Sequence, residues 1–227
     1  MNPDRATPAR TDAVLFDFGG VFIDSPFAAV GDAAERLGVE TEVLTGLVFG
    51  RYDLDTGHPW HRLERGEVTF AQARAEITEL AAATTVGPID PIEVLASMAS
   101  GGLELRQDMV AAVRRYRDAG LRTGIVTNNI AEFGSTWRAL LPLDELFDDV
   151  VDSSDVGLRK PDSRIYRLAC ERLQVDPSRT VFIDDHAGNV AGAVAAGLLG
   201  VCCGYTRQST SDAIVELDRV VLGAQQG

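Results

Sequence analysis

Short apolar runs punctuate an otherwise mixed chain. Residues 13–16 (Ala13, Val14, Leu15, Phe16), 123–126, 180–183 and 200–203 are nearly continuous in apolar character, and 149–151 form a weaker fifth run. They do not alternate polar with apolar, so both faces of each strand are expected to be covered, as in a parallel sheet. Helical spacing fills the intervals. Met109, Val110, Val113 and Tyr116 lie on one stripe that stops at Gly120. Ile165, Leu168, Ala169 and Leu173 form a second, with Pro161 expected at the first helical position. Val190, Ala193, Val194 and Gly197 form a third. Alternating strand and helix predict an α/β core with a parallel, Rossmann-like sheet.

Residues 26–100 interrupt that alternation. The stretches 27–37, 42–49, 70–83 and 92–99 are all helix-like, with no buried-strand run among them. The expectation is an all-helical insert placed after the first strand, returning to the core through the flexible Ser100, Gly101 and Gly102. The predicted division is therefore a core of 1–25 and 101–227 and a helical unit of 26–100. Residues 1–11 are polar, lack the apolar region of a signal peptide, and read as a tail.

Charge narrows the partners. At 45% apolar and 24% charged residues the chain has the composition of an ordinary globular protein, but its formal net charge is −13. That charge argues against nucleic acid and anionic membrane as partners. An anionic substrate would need local positive charge. No stretch approaches the roughly 20 apolar residues of a membrane helix. The three cysteines, Cys170, Cys202 and Cys203, do not form a disulfide pattern and suit a reducing, cytoplasmic setting. The oligomeric state is left open between monomer and homodimer.

Candidate chemistry gathers at strand ends. Open parallel sheets bind ligands beyond the carboxyl ends of their strands. The first run ends in Asp17, followed by Phe18, Gly19 and Gly20. The second ends in Thr127, Asn128 and Asn129, and the 180–183 run ends in Asp184 and Asp185. Of the 21 basic residues one is a lysine, Lys160, in the run Arg159-Lys160-Pro161-Asp162. A lysine kept in an arginine-rich chain suits a tight site needing a compact charge. Survival by chance at a helix start is the plain alternative. One aspartate at a strand end can be a helix cap. Four such features in order on one sheet edge point to a site.

These residues resemble the four ordered motifs of the haloacid dehalogenase-like superfamily. Its nucleophilic Asp after strand one is matched by Asp17, its Thr or Ser by Thr127, its Lys by Lys160, and its acidic pair by Asp184 and Asp185, with Asn189 following. The resemblance covers nearly the whole chain. The insert resembles the first type of helical cap in that superfamily. The segment 60–69 is similar to the cap of the branch that includes the N-terminal phosphatase domain of soluble epoxide hydrolase. The resemblance implies a Mg²⁺-dependent phosphatase of a small phosphorylated molecule, with Asp17 attacking phosphorus. It implies that Asp17, Asp184, Asp185 and the Gly19 carbonyl hold the metal. Lys160 would neutralise phosphoryl oxygens and keep Asp17 ionised. Thr127, Asn128, Asn129 and the Gly19-Gly20 turn would donate to the same oxygens. Asn189 would orient the acidic pair or Lys160, or serve only as a helix cap.

Gly19 departs from the pattern. Most phosphatases of the superfamily carry there a second Asp that protonates the leaving oxygen, help worth roughly 10²–10⁴ in rate. Three readings remain: a good leaving group, a proton from water or from Asp53, Asp55 or His61, or a chain that binds phosphorylated ligands without turnover. A 2-haloacid dehalogenase is the chemical alternative, since halide leaves without a proton. The retained acidic pair counts against it. A zinc site on His58 and His61 is disfavoured because no carboxylate or cysteine cluster is near in sequence. His186 is placed at a helix start or the site entrance. Arg51, Tyr52 and Trp60 either face the substrate or pack within the helical unit.

Overall fold

A computed structural model of the protein describes residues 11–25, 27, 30–100 and 104–223, with backbone alone for 97–100. Residues 1–10 of the predicted tail and the predicted junction at 101–102 lie outside the described residues. Thr11, placed in the tail by sequence, is instead buried.

The first strand, β1 (Ala13–Phe16), is followed by five helices: α1 (Val30–Leu37), α2 (Thr41–Phe49), α3 (Pro59–Glu64), α4 (Phe70–Ala82) and α5 (Pro91–Ser100). The α/β pattern then resumes with α6 (Gln107–Asp118), β2 (Arg122–Thr127), α7 (Gly134–Arg138), α8 (Leu143–Leu146), β3 (Asp149–Asp152) and α9 (Ser153–Val156). The chain continues through α10 (Ser163–Leu173), β4 (Thr180–Asp184), α11 (Ala187–Ala195), β5 (Leu199–Cys202) and α12 (Arg207–Val221). The five strands lie in the order β3-β2-β1-β4-β5, and every pairing is parallel.

The continuous apolar runs have their physical cause in this sandwich. On one face Val14 and Phe16 meet Val113 and Tyr116 of α6 and Leu217 of α12. On the other, Leu15, Val126 and Phe182 meet Ile165, Tyr166 and Ala169 of α10. All four residues of β1 are solvent-free. Fully burying each large apolar side chain contributes on the order of 1.5–3 kcal/mol. The helices between β1 and α6 enclose an apolar cluster of their own, including Leu44, Val48, Phe49, Trp60, Leu63 and Ile77. Among the described residues, no helix is long and apolar enough to cross a membrane.

Several local expectations are corrected. Pro161 does not open a helix. Asp162 is the N-cap of α10, its carboxylate accepting from Arg164 N, and Lys160–Pro161 is a cis peptide bond. Among the described residues, the helix predicted from 27 is seen over Val30–Leu37, and β5 starts one residue earlier than its apolar run. Helices α3 and α12 were not predicted. In α12 the stripe Ala213, Ile214, Leu217 and Val221 is helical in period and faces the core.

Candidate active site

The register of the sheet assembles the site. Phe16 pairs with Ile183 on one side and Ile125 on the other. The next residues along these strands, Asp17 and Asp184, therefore emerge side by side at the carboxyl edge. Strand order reverses around β1, which lies between β2 and β4, and this is where an open sheet leaves a crevice. Asp17, Gly19, Thr127, Asn128, Asp185 and Asn189 line a small cleft there, closed from above by Phe27 and Tyr52. Gly20 takes φ +74°, and a Cβ at that position would run into the Asp185 carboxylate. Only glycine lets the β1 turn approach the acidic pair so closely.

Lys160 reaches this edge from the loop between α9 and α10. Its Nζ lies 2.7 Å from Asp17 Oδ1 and 2.6 Å from Asp184 Oδ2. The Asn128 side chain clamps its peptide, accepting from Lys160 N at 2.8 Å and donating to Lys160 O at 3.0 Å. Asn128 thus positions the lysine through its side chain, a role the sequence did not indicate. Asn189 Nδ2 donates to both oxygens of Asp184 at 3.1 Å, and His186 N donates to Asp184 Oδ1 at 2.8 Å. Asn189 thus holds Asp184, one member of the acidic pair, while the cap of α11 is the His186 side chain. Asn129 is not among the residues that line the cleft: its N–H donates to Ser153 Oγ and its Oδ1 accepts from Ile130 N.

Negative charge exceeds positive in this buried space. Three carboxylates, Asp17, Asp184 and Asp185, bring oxygens within 4.8 Å of one another, and one ammonium faces them. Burial, joined by the charge of Asp184, raises Asp17 to about 7 against the opposing pull of Lys160. Asp185 is likewise pushed well above the carboxylate range, by burial and then by Asp184 and Asp17. Lys160 pulls Asp17 towards its ionised form, as expected from sequence, and burial with the charge of Asp184 pulls the other way. Among the described residues, neither Asp185 Oδ2 nor Asn189 Oδ1, both buried, has a hydrogen-bond partner. Hard oxygen ligands, excess negative charge and orphaned acceptors together fit a divalent cation.

The other residues marked in the sequence take different places. Arg51 and Asp53 pair with each other at 2.7 Å on the surface, and Asp55 pairs with Arg65. Trp60 is buried and donates to Glu64 Oε1. Of the three aromatic and basic candidates in this stretch, Tyr52 is the one that lines the cleft. His58 and His61 have ring centroids 5.6 Å apart, and each Nδ1 is occupied by a local hydrogen bond. His61 is fully buried, and burial followed by the charge of Arg159 lowers its pKa to about 3. A histidine whose folded pKa lies below its unfolded value of 6.5 takes up its proton in the unfolded chain first. Stability should therefore fall as pH drops from about 6.5 towards 3, by roughly 2 kcal/mol at pH 5. Urea unfolding at pH 7.5 and 5 should show that His61→Gln loses correspondingly less than the parent protein.

An all-parallel sheet with an acid–lysine site at its carboxyl edge defines a Rossmann-like α/β class. The model of the haloacid dehalogenase-like hydrolases matches residues 11–197, and the chain belongs to that family. It is 33% identical over 191 residues to acyl-CoA dehydrogenase family member 10 of Mus musculus, covering 82% of this chain and 17% of that protein. It is 26% identical over 216 residues to bifunctional epoxide hydrolase 2 of the same species, covering 90% of this chain and 38% of that protein. The chain thus spans well under half of either relative. A HAD family enzyme of Bacteroides thetaiotaomicron, solved with magnesium and inorganic phosphate, superposes with a TM-score of 0.63 at 18% identity. That superposition covers 87% of this chain and 96% of the other. Relatives described as phosphatases and as 2-haloacid dehalogenases both occur.

Proposed function

We propose that the protein is a Mg²⁺-dependent phosphatase of a small phosphorylated molecule, with Asp17 as nucleophile. The observation that carries this reading is the buried group Asp17, Asp184 and Asp185 around one lysine, with acceptors left unpaired. A dehalogenase releasing halide has no use for an uncompensated acidic pair. Asp17, Asp185 and the Gly19 carbonyl would hold Mg²⁺, with Asp184 beside them. When bound, the ion offsets the repulsion between a carboxylate and a phosphate and polarises the phosphoryl oxygens.

The residues of the chain supply the rest. An Asp17 oxygen attacks phosphorus, the bond to the leaving oxygen breaks, and its electron pair departs with that oxygen. Lys160 and the Thr127 hydroxyl face the phosphoryl oxygens as charge grows on them. Water then attacks phosphorus, the bond between phosphorus and the Asp17 oxygen breaks to restore the carboxylate, and the water's proton passes to solvent as phosphate leaves. Gly19 offers no side chain to protonate the leaving oxygen, so poor leaving groups forgo roughly 10²–10⁴ in rate. The helices from α1 to α5 act as a cap, with Tyr52 and Phe27 excluding bulk water during transfer. Three free cysteines accord with a cytoplasmic setting.

Purified protein should release phosphate from p-nitrophenyl phosphate and acetyl phosphate with Mg²⁺, and EDTA should abolish that release. EDTA-insensitive halide release from 2-chloropropionate would instead establish dehalogenation. Phosphate binding without turnover of either compound would make the chain a binding protein.

A further inference from the structure

Among the described residues, the arginine beside the site lysine finds its hydrogen-bond partners in the helical segment and not on the sheet side. Arg159 shares the loop between α9 and α10 with Lys160, yet its fully buried side chain runs into the helical segment. Its Nε donates to Glu64 Oε2 at 2.7 Å, and its Nη1 donates to the Leu54 carbonyl at 2.7 Å. Its guanidinium lies 5.0 Å from the centre of the Tyr52 ring. Glu64 is buried as well, and its other oxygen accepts from Tyr52 Oη and Trp60 Nε1, each at 2.9 Å. One chain of contacts therefore joins the Lys160 loop, Arg159, Glu64 and Tyr52.

Tyr52 is also where this chain ends in the cleft. Of the described cleft-lining residues, Tyr52 alone comes from the segment of α1 to α5; Phe27 precedes it, Asn189 lies in the first turn of α11, and the remainder come from strand ends. The Tyr52 hydroxyl is committed to Glu64, so the ring is what faces the site. Phe27 packs edge-on against it at 4.7 Å, and the His186 ring lies 5.3 Å away. Gly188 brings the backbone closer still: a Cβ there would stand 2.9 Å from Asp53 Cα. The segment is seated from two sides, by Arg159 and by the start of α11.

A buried ion pair is weak as a stabilising device, because its desolvation cost rivals its Coulombic gain. What it does supply is fixed geometry. We propose that Arg159 is a positioning residue, acting through Glu64 to hold the Tyr52 ring as the wall that meets the leaving group. The site then selects phosphate esters whose leaving group is flat and apolar. This inference rests on the phosphatase reading for its substrate and on the contacts above for its mechanism.

The test uses Arg159→Met, Arg159→Met with Glu64→Gln, Tyr52→Ala, and Arg159→Met with Tyr52→Ala. The Glu64→Gln background removes the stranded carboxylate, so that folding survives the loss of the guanidinium. We compare kcat/KM for p-nitrophenyl phosphate, with its aromatic leaving group, against acetyl phosphate, whose leaving group is too small to reach the wall. Each Arg159 variant should shift that ratio tenfold or more against the aromatic ester. Tyr52→Ala should give the same shift, and combining it with Arg159→Met should add nothing, as expected of two residues acting in series. Equal losses on both substrates, or additive shifts, would overturn the proposal. Amide hydrogen exchange gives a readout independent of turnover. Residues 52–64 should exchange at least tenfold faster in the Arg159→Met, Glu64→Gln protein, and unchanged exchange would sink the proposal even if neither substrate were hydrolysed. Absence of wild-type turnover would instead remove the phosphatase reading, with exchange still deciding whether Arg159 anchors Tyr52.

Discussion

Asp17→Asn should lower Mg²⁺-dependent phosphate release by roughly 10⁴-fold or more, the scale on which loss of a nucleophile acts. An amide of the same shape cannot form the aspartyl phosphate, while Lys160 retains Asp184 as a partner 2.6 Å away. The same substitution should make the protein more stable in EDTA. Burial and Asp184 raise Asp17 from 3.8 to about 7 in the folded chain. A carboxyl with a raised folded pKa costs nothing below pH 4, where both states are protonated. Between about 4 and 7 the unfolded state sheds its proton first, so the native state loses ground, and the loss is complete above 7. It amounts to a few kcal/mol at most. At pH 8 without metal the variant should therefore melt above the parent, and the gap should close near pH 3. Turnover that survives the substitution would refute the nucleophile. A lower melting temperature at pH 8 would show that the carboxylate cluster is not under strain.

The sequence made this centre legible because its chemistry is carried by residue types that are out of place. An aspartate ending a buried apolar run, or a lone lysine among arginines, contradicts its surroundings. Such residues meet in space because parallel strands in register bring equivalent ends together. The sheet was legible for a related reason: strands covered on both faces leave no polar alternation. Pro161 misled because proline favours a first helical turn, whereas the Asp162 carboxylate caps α10 one step later. Arg159 and Glu64 were invisible as a pair. Each resembles a surface charge until the fold brings together residues 95 positions apart. Tyr52 could be suspected of facing the substrate but not distinguished from Trp60 or Arg51, since only the packing shows which ring turns inward.

Lys160→Arg tests whether charge alone is what the site needs from its one lysine. The expected result is a loss of activity of roughly 10²-fold or more with the positive charge intact. Nζ is held between Asp17 Oδ1 and Asp184 Oδ2 at 2.7 and 2.6 Å. The side chain is 1% exposed, and the Asn128 clamp fixes its backbone from both sides. A guanidinium is longer, planar and forked, and would have to displace one carboxylate or the phosphoryl group it faces. Overpacking of this kind also costs about 1–3 kcal/mol, so the melting temperature should fall with the rate. Asn128→Ala supplies the control. It leaves the lysine in place but frees its peptide, so kcat should drop without the steric penalty of the arginine. A Lys160→Arg enzyme with near-normal kcat would mean that a point charge anywhere near Asp17 suffices. The arginine-rich composition would then be the whole explanation for the solitary lysine, and the tight geometry at the sheet edge would serve folding rather than phosphoryl transfer.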